Sequence, residues 1–210
     1  MKTCYIIGAG DITDPHITAS AEDFIICADG GYKHKSILGR ECDLVVGDFD
    51  SLGSVPETDN KIVAPTEKDE TDMMLAVMSG LDRGYGNFVI LGALGGERND
   101  HSVANIQLLH YIVSKGARGT ILHGSEVYRA FSNGTLTLGA DLEGYVSVFS
   151  LSDESRGVTL RNLKYTLEDA TLHSYMPVGV SNEFLGKEST ITVEDGALLV
   201  VYKSTDVEKL

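Results

Sequence analysis

The sequence has few cysteines and no long apolar run, and these shortages exclude two classes of protein. Its three cysteines, Cys4, Cys27 and Cys42, lie in or beside strand-like runs without the close spacing of a metal site. We therefore expect small buried thiols in a reducing cytoplasm rather than a disulfide framework. The sequence shows neither a membrane-spanning run nor the apolar region and cleavage site of a signal peptide, so we expect a cytoplasmic protein without a membrane partner.

Basic residues are also scarce. The chain has 17 lysines and arginines against 31 aspartates and glutamates, which gives a formal net charge of −14. Because nucleic-acid phosphates require a basic surface, we expect no nucleic-acid partner. A small phosphorylated ligand stays compatible with this charge if divalent cations offset the negative charges of both ligand and protein.

The common phosphate-binding and catalytic motifs are missing. The segment "GAGDIT" contains Gly8 and Gly10 but has Thr13 where a dinucleotide-binding fingerprint has its third glycine. The sequence has no G-x-x-x-x-G-K-[ST] loop, no G-x-S-x-G elbow and no H-E-x-x-H pair. Its six histidines form no metal-binding pattern. The chemistry must therefore come from other residues.

The first half of the sequence alternates short apolar runs with helical patterns. Helices are predicted for Glu70–Gly84 and Asp100–Gly116, where apolar residues recur at helical spacing before a glycine. Because strands separated by helices pair in parallel through crossovers, this half predicts a parallel-sheet α/β fold. Five runs rich in Ile and Val are the predicted strands: Thr3–Gly10, Asp23–Gly31, Cys42–Asp48, Lys61–Pro65 and Asn87–Gly96.

From about His123 the pattern changes to short alternating runs without a convincing helix. Turn signals at Ser132–Gly134 and Glu194–Gly196 are predicted to separate the strands. This pattern is typical of an antiparallel sandwich or barrel. We therefore predict an α/β, Rossmann-like domain over residues 1–123 and an antiparallel β domain over residues 124–210.

Acidic residues follow the predicted strands at the edge where parallel sheets bind ligands. Taken singly, most of these acidic motifs are typical of a helix cap or a turn, but one helix cap cannot explain both Asp48 and Asp50. Together they would repel one another unless cations intervene, and Mg²⁺ binds carboxylates together with phosphate oxygens. Lys68 and Arg98 are suited to phosphate. The acidic residues are Asp29, Asp48, Asp50, Asp69, Asp72 and Asp100, and His101 follows the last of them.

These segments, in this order, resemble the thiamine pyrophosphokinase family. The resemblance rests on "ADGGYKHKSILG", "CDLVVGDFDS", "EKDETDMMLAV" and "LGALGGERNDHSVANIQLL" in the first half, and on "LHSYMPVGVSNEF" (Leu172–Phe184) in the second. One position departs from the family's Gly-Gly-Arg-x-Asp-His pattern, because Glu97 stands between Gly96 and Arg98. The chain also lacks tryptophan, so an aromatic ring that stacks on thiamine must come from Tyr or Phe.

The resemblance implies a C-terminal β-sandwich, a homodimer with active sites at the subunit interface, and diphosphoryl transfer from ATP to thiamine with release of AMP. It also implies Mg²⁺ as cofactor, with Asp48, Asp50 and Asp72 as its ligands. Either Asp50 or Asp72 would accept the proton of the thiamine hydroxyl. The nucleotide-binding residues that it implies are Asp29, Gly30, Gly31, Lys68, Asp69, Thr71, Arg98, Asp100 and His101. The implied thiamine-binding residues are Asp72, Ser181 and Asn182.

The residues alone are compatible with two other classes of function. The first is a metal-dependent enzyme that acts on nucleotides by hydrolysis, which would need no thiamine. The second is a non-catalytic sensor of thiamine or nucleotide, which the intact acidic set disfavours. Joint formation of AMP and thiamine diphosphate would distinguish the transferase from both.

Overall fold

The computed structural model describes residues 2–13, 15–65 and 67–204, which divide into two compact units. One unit contains the chain up to Leu108 together with Ile121–Gly124, and the other contains Leu109–Thr120 and the chain from Ser125 onward. The domain boundary at residue 123 stays a prediction. Within the described residues, no helix combines the length and the apolar character that crossing a membrane requires.

The first unit contains a parallel sheet, so the chain is a mixed α/β protein as predicted. Five strands lie in the order β4-β3-β2-β1-β5, and all four neighbouring pairs are parallel. Each of the five runs predicted as a strand contains one of them. The strands are β1 (Cys4–Ile7), β2 (Phe24–Ala28), β3 (Leu44–Gly47), β4 (Lys61–Val63) and β5 (Asn87–Leu91).

The three central strands form because they are continuous apolar runs that a helix covers, whereas all three residues of β4 are exposed. Ile6, Ile26 and Val46 in the three central strands have no exposed surface. Helix α1 (Asp72–Asp82) begins two residues later than the predicted Glu70, because Thr71 is extended and its hydroxyl accepts the amide N–H of Met74 at 3.2 Å.

A second helix and two short 3₁₀ turns complete the regular structure of the first half of the chain. Helix α2 (Asn99–Ser114) begins one residue before its predicted start, and Gly116 follows it with a φ of 76°. Two 3₁₀ helices, Asp29–His34 and Asp50–Leu52, follow β2 and β3. Asp29, Asp48 and Asp50 therefore lie at strand ends as predicted, whereas Asp72 and Asp100 lie in the first turns of the two helices.

After β6 (Arg118–His123), the chain continues with antiparallel strands of the second unit. These are β7 (Glu126–Leu138), β8 (Tyr145–Ser150), β9 (Glu154–Arg161), β10 (Leu167–His173), β11 (Asn182–Glu183) and β12 (Ser189–Lys203). Strand β12 pairs along one edge with β7, and along its other edge with β8 in its C-terminal half and β9 in its N-terminal half. Strand β10 pairs with β9, and β11 pairs with β8.

The two predicted turns in this unit are wrong. Ser132–Gly134 lies inside β7 and Glu194–Gly196 lies inside β12, where the pairing of the two strands shifts register between Val193 and Ala197. The side chain of Asn133 accepts the amide N–H of Gly196 at 3.0 Å across this irregularity. The two strands stay paired on both sides of this irregularity. The turn-forming residues therefore make a β-bulge within two long strands and do not end them.

The cysteines agree with their predicted structural role. All three are free, Cys4 and Cys27 are buried, and Cys42 is half-buried. Burial raises the pKa of the Cys4 thiol to about 12. This thiol therefore remains protonated at neutral pH and acts as a small apolar group.

Candidate active site

Three carboxylates converge at the carboxyl ends of β2 and β3 and at the start of α1. Oxygens of Asp29, Asp48 and Asp72 all lie within 4.8 Å of one another. Asp29 directly follows β2, Asp48 directly follows β3, and Asp72 is the first residue of α1. The topology of a parallel sheet thus brings residues that are far apart in sequence to one point.

Glycines allow these strand ends to approach closely. A Cβ atom on Gly31 would lie 2.0 Å from the carbonyl oxygen of Ile7, and one on Gly47 would lie 3.0 Å from the Cα atom of Asp29. Asp29 itself has a φ of 44°, in the left-handed region. The turn after β2 is therefore fixed by backbone contacts, and it directs Asp29 toward the other two carboxylates.

Lys68 provides a positive charge at the three-carboxylate cluster. Its ammonium Nζ lies 2.9 Å from Oδ1 of Asp72 and 3.8 Å from Oδ2 of Asp48. Its side chain is only 12% exposed, and Nζ also donates to the carbonyl oxygen of Pro65 at 3.3 Å. Nζ of Lys68 and Oδ1 of Asp72 are close enough to form an ion pair, but their geometry is not that of a hydrogen bond.

The three carboxylates fit a hard divalent cation. Their donor atoms are all carboxylate oxygens, the ligand type that Mg²⁺ prefers. Among the described residues, the buried Oδ1 atom of Asp29 has no hydrogen-bond partner. A buried carboxylate oxygen without a partner is costly, and coordination to a cation would remove that cost.

Asp50 and Asp69 lie outside this trio. Asp50 is exposed at the start of the 3₁₀ turn after β3, and its backbone N–H donates to Oδ1 of Asp48 at 3.2 Å. Asp69 is exposed before α1. Sequence reasoning assigned Asp29 to the nucleotide rather than to the metal, although its position directly after a buried strand is the same signal that identified Asp48.

A cavity of about 270 Å³ opens beside Asp29 and Asp72. Its wall includes the loop between β5 and α2. The buried side-chain amide of Asn105, on α2, donates to the carbonyl oxygen of Ala93 in this loop at 2.7 Å. Sequence reasoning did not include Asn105, although it lies on the first half of α2. Of the predicted site residues, the cavity is lined by Asp29, Thr71, Asp72, Arg98 and His101.

The "GAG" segment packs against this loop. Gly8 donates its N–H to the carbonyl oxygen of Leu91 at 2.8 Å, and Gly10 donates to that of Gly92 at 2.9 Å. A Cβ atom on Gly10 would lie 2.6 Å from the carbonyl oxygen of Leu94. Close loop packing therefore explains these glycines without a dinucleotide-binding fingerprint.

Arg98 and Asp100 form an exposed bidentate pair at the start of α2. Nε of Arg98 donates to Oδ1 at 3.0 Å and Nη2 donates to Oδ2 at 2.7 Å. The inserted Glu97 is exposed beside them on the cavity wall. The guanidinium of Arg98 therefore has to leave Asp100, or share it, to contact another anion.

This pair gives a pH-dependent prediction. The hydrogen bonds from Arg98 lower the pKa of Asp100 from 3.8 to about 2. Because the folded pKa is depressed, the pair stabilises the fold above pH 3.8, and this contribution is lost as the pH falls through about 2. NMR titration of the Asp100 carboxyl should give this low pKa, and Arg98→Ala should return it toward the ordinary value. An unchanged pKa in Arg98→Ala would contradict the pairing.

Ser181 and Asn182 belong to the second unit, and they differ in environment. Ser181 is exposed with a φ of 61°, and its N–H donates to Oγ of Ser147 at 3.1 Å. Asn182 is only 3% exposed. Its amide oxygen accepts the N–H of Tyr165 at 2.9 Å, and its Nδ2 donates to the carbonyl oxygen of Tyr165 at 2.6 Å. Asn182 therefore holds the backbone of Tyr165, whereas Ser181 is accessible.

Replacing Asn182 should show this difference as a change in stability. We expect Asn182→Ala to lower the free energy of unfolding by about 2 kcal/mol, because the N–H and C=O groups of Tyr165 lose their partner. The neighbouring Ser181→Ala variant is the matched control and should unfold like the wild type. Urea unfolding of both variants measures this, and an equal effect of the two substitutions would refute the assigned role of Asn182.

The fold and the site together define a class: an α/β protein with an acidic, lysine-containing site at the carboxyl edge of a parallel sheet. Two family models match the chain, "Thiamin pyrophosphokinase, catalytic domain" over residues 16–121 and "Thiamin pyrophosphokinase, vitamin B1 binding domain" over residues 135–198. The chain therefore belongs to the thiamin pyrophosphokinase family and is an enzyme, which confirms the resemblance found in the sequence.

Individual relatives agree with the family. The chain is 29% identical over 167 residues to thiamine pyrophosphokinase of Bacillus subtilis (strain 168), an alignment that covers 76% of this chain and 77% of that protein. The crystal structure of thiamine pyrophosphokinase from Bacillus subtilis matches with a TM-score of 0.81 at 22% identity, covering 97% and 99% of the two chains. A thiamin pyrophosphokinase family protein from Enterococcus faecalis matches with a TM-score of 0.76 at 25% identity, covering 97% and 99%.

Proposed function

We propose that this chain transfers a diphosphoryl group from ATP to the hydroxyl oxygen of thiamine. In this reaction the hydroxyl oxygen bonds to the β-phosphorus, the bond between that phosphorus and the α,β-bridging oxygen breaks, and AMP leaves. The observation that carries the proposal is the trio of carboxylates with Lys68 beside it, in the segment that matches the catalytic-domain model. Both family matches support thiamine as the acceptor.

Mg²⁺ is the proposed cofactor. Asp48 and Asp72 are its proposed ligands, as the sequence suggested, and Asp29 joins them because one of its carboxylate oxygens lies in the same cluster. Asp50 stays a proposed ligand or base on the exposed side of Asp48. When bound, the ion would neutralise the phosphoryl oxygens that gain charge during transfer.

The residues of the chain would mainly position the reactants and offset charge, which is the main work of a catalyst for phosphoryl transfer. Lys68 and Arg98 carry the positive charges proposed for the phosphates. The backbone of Asp29–Gly31 is proposed to lie against the nucleotide. Either Asp50 or Asp72 would take the proton of the thiamine hydroxyl. Gly30, Asp69, Thr71, Asp100 and His101 are the other proposed nucleotide contacts.

The second unit is proposed to bind thiamine through the accessible Ser181, with Asn182 fixing the neighbouring backbone. A homodimer with active sites at the subunit interface, a β-sandwich arrangement of the second unit and a cytoplasmic location also stay proposals. The match to a vitamin B1 binding domain over residues 135–198 supports the proposal that this part of the chain binds thiamine.

The test is to incubate the protein with ATP, Mg²⁺ and thiamine and to measure all products. We expect AMP and thiamine diphosphate in equal amounts, with no AMP when thiamine is omitted. Nucleotide breakdown that does not depend on thiamine would favour hydrolysis. Binding of ATP or thiamine without any product would favour a sensor.

A further inference from the structure

The ammonium of Lys68 occupies a particular place in the three-carboxylate cluster. It contacts Asp72 at 2.9 Å and Asp48 at 3.8 Å, so it lies against two of the three aspartates that could hold a cation. The third, Asp29, keeps an unpartnered oxygen. The positive charge of Lys68 in the free protein is thus shared by two of the carboxylates that a metal ion would use.

Two cations cannot use these oxygens without cost. A divalent ion bound by Asp48 and Asp72 would be close to the ammonium, and the two positive charges would repel each other in a partly buried site. Conversely, a site with neither cation would hold three negative carboxylates within 4.8 Å of one another, an arrangement that is unfavourable for the same reason.

We propose that Lys68 is an exchangeable counter-ion that neutralises Asp48 and Asp72 in the free protein and moves to the phosphates when a metal-bound nucleotide enters. This proposal rests on the proposed function only in taking its ligand to be a metal-bound nucleotide. A triphosphate offers the ammonium new anionic partners, and the carboxylates are then available to the metal. Lysine suits such an exchange because its ammonium lies on a flexible stem and has three donors without a fixed planar geometry.

The exchange predicts coupling between metal and nucleotide. Nucleotide draws the ammonium away from the carboxylates and thereby strengthens metal binding, and metal must strengthen nucleotide binding by the same factor. If the lysine charge is removed, the free protein should bind metal more tightly and the coupling should decrease.

The experiment measures Mn²⁺ binding by electron paramagnetic resonance of the free ion, without nucleotide and without catalysis. We expect Lys68→Met to bind Mn²⁺ about tenfold more tightly than the wild type, because the competing positive charge is gone. Lys68→Gln tests the same loss of charge with a polar side chain. Lys61→Met is the matched control, since Nζ of Lys61 bonds to the carbonyl oxygen of Pro56, and it should leave Mn²⁺ affinity unchanged.

A second measurement repeats the titrations with α,β-methylene-ATP, which cannot be cleaved between its α- and β-phosphates. This nucleotide should tighten Mn²⁺ binding by the wild type more than by Lys68→Met, after correction for Mn²⁺ bound to free nucleotide. Thermal unfolding confirms that each variant is folded before it is titrated. Equal or weaker Mn²⁺ binding in the folded Lys68 variants, or unchanged coupling to nucleotide, would overturn the proposal. Failure to make thiamine diphosphate would instead refute the proposed function. The Mn²⁺ titrations could still be interpreted, because they do not depend on catalysis.

Discussion

Asp48→Asn is expected to abolish turnover, with a loss in kcat on the order of a thousandfold. The amide keeps the shape of the side chain but removes the charge of a proposed metal ligand. The fold should persist, because Asp48 lies at a partly exposed strand end and the substitution relieves repulsion among the three carboxylates. The measurement is steady-state kinetics at saturating Mg²⁺ together with thermal unfolding.

Asp50→Asn should be measured beside it, because the structure places Asp50 outside the trio. A loss as large as that of Asp48→Asn would support Asp50 as ligand or base. A loss of about tenfold or less would remove it from the proposed ligands. Near-normal activity of Asp48→Asn would contradict the proposed metal site itself.

Gly31→Ala is expected to cause the largest loss of stability, about 3 kcal/mol or more. The new Cβ atom would lie 2.0 Å from the carbonyl oxygen of Ile7, and backbone at the centre of a sheet cannot move away cheaply. Because Gly31 belongs to the turn that directs Asp29, we also expect loss of activity in any protein that still folds.

Gly86→Ala is the control for this substitution. A Cβ atom on Gly86 would meet nothing within 4 Å, and its φ is not in the left-handed region. Urea unfolding should therefore give nearly wild-type stability for Gly86→Ala. Equal stability of the two variants would show that the backbone around Gly31 is less constrained than the contact implies.

The sequence predicted the first unit well because its signals are local. Continuous apolar runs ending at Gly, Asp or Pro predicted each parallel strand, and helical spacing predicted α1 to within two residues of its start. The position of the site also followed, since parallel strands bring their carboxyl ends to one edge. The inclusion of Asp29 in the carboxylate trio did not follow, because the side-chain direction depends on the left-handed backbone at Asp29 and on its close approach to Gly47.

The second unit shows where local signals fail. Asn133 and Gly196 are typical turn residues, but long-range pairing of β7 with β12 places them at a bulge. Asn182 has the chemistry of a ligand-binding residue, and its amide also holds the backbone of Tyr165, a role that the sequence did not indicate. Neither outcome can be read from one segment alone, because the partner of Asn133 lies 63 residues away and that of Asn182 lies 17 residues away.

The position of β12 in the chain has a consequence for how the second unit is made. Its partners β7, β8 and β9 all precede it, so their edges are without this neighbour while the ribosome is still adding Ser189–Lys203. Unpaired strand edges are the surfaces through which nascent chains associate. The unit is therefore most vulnerable to aggregation late in its synthesis, and slow elongation through β12 would lengthen that period.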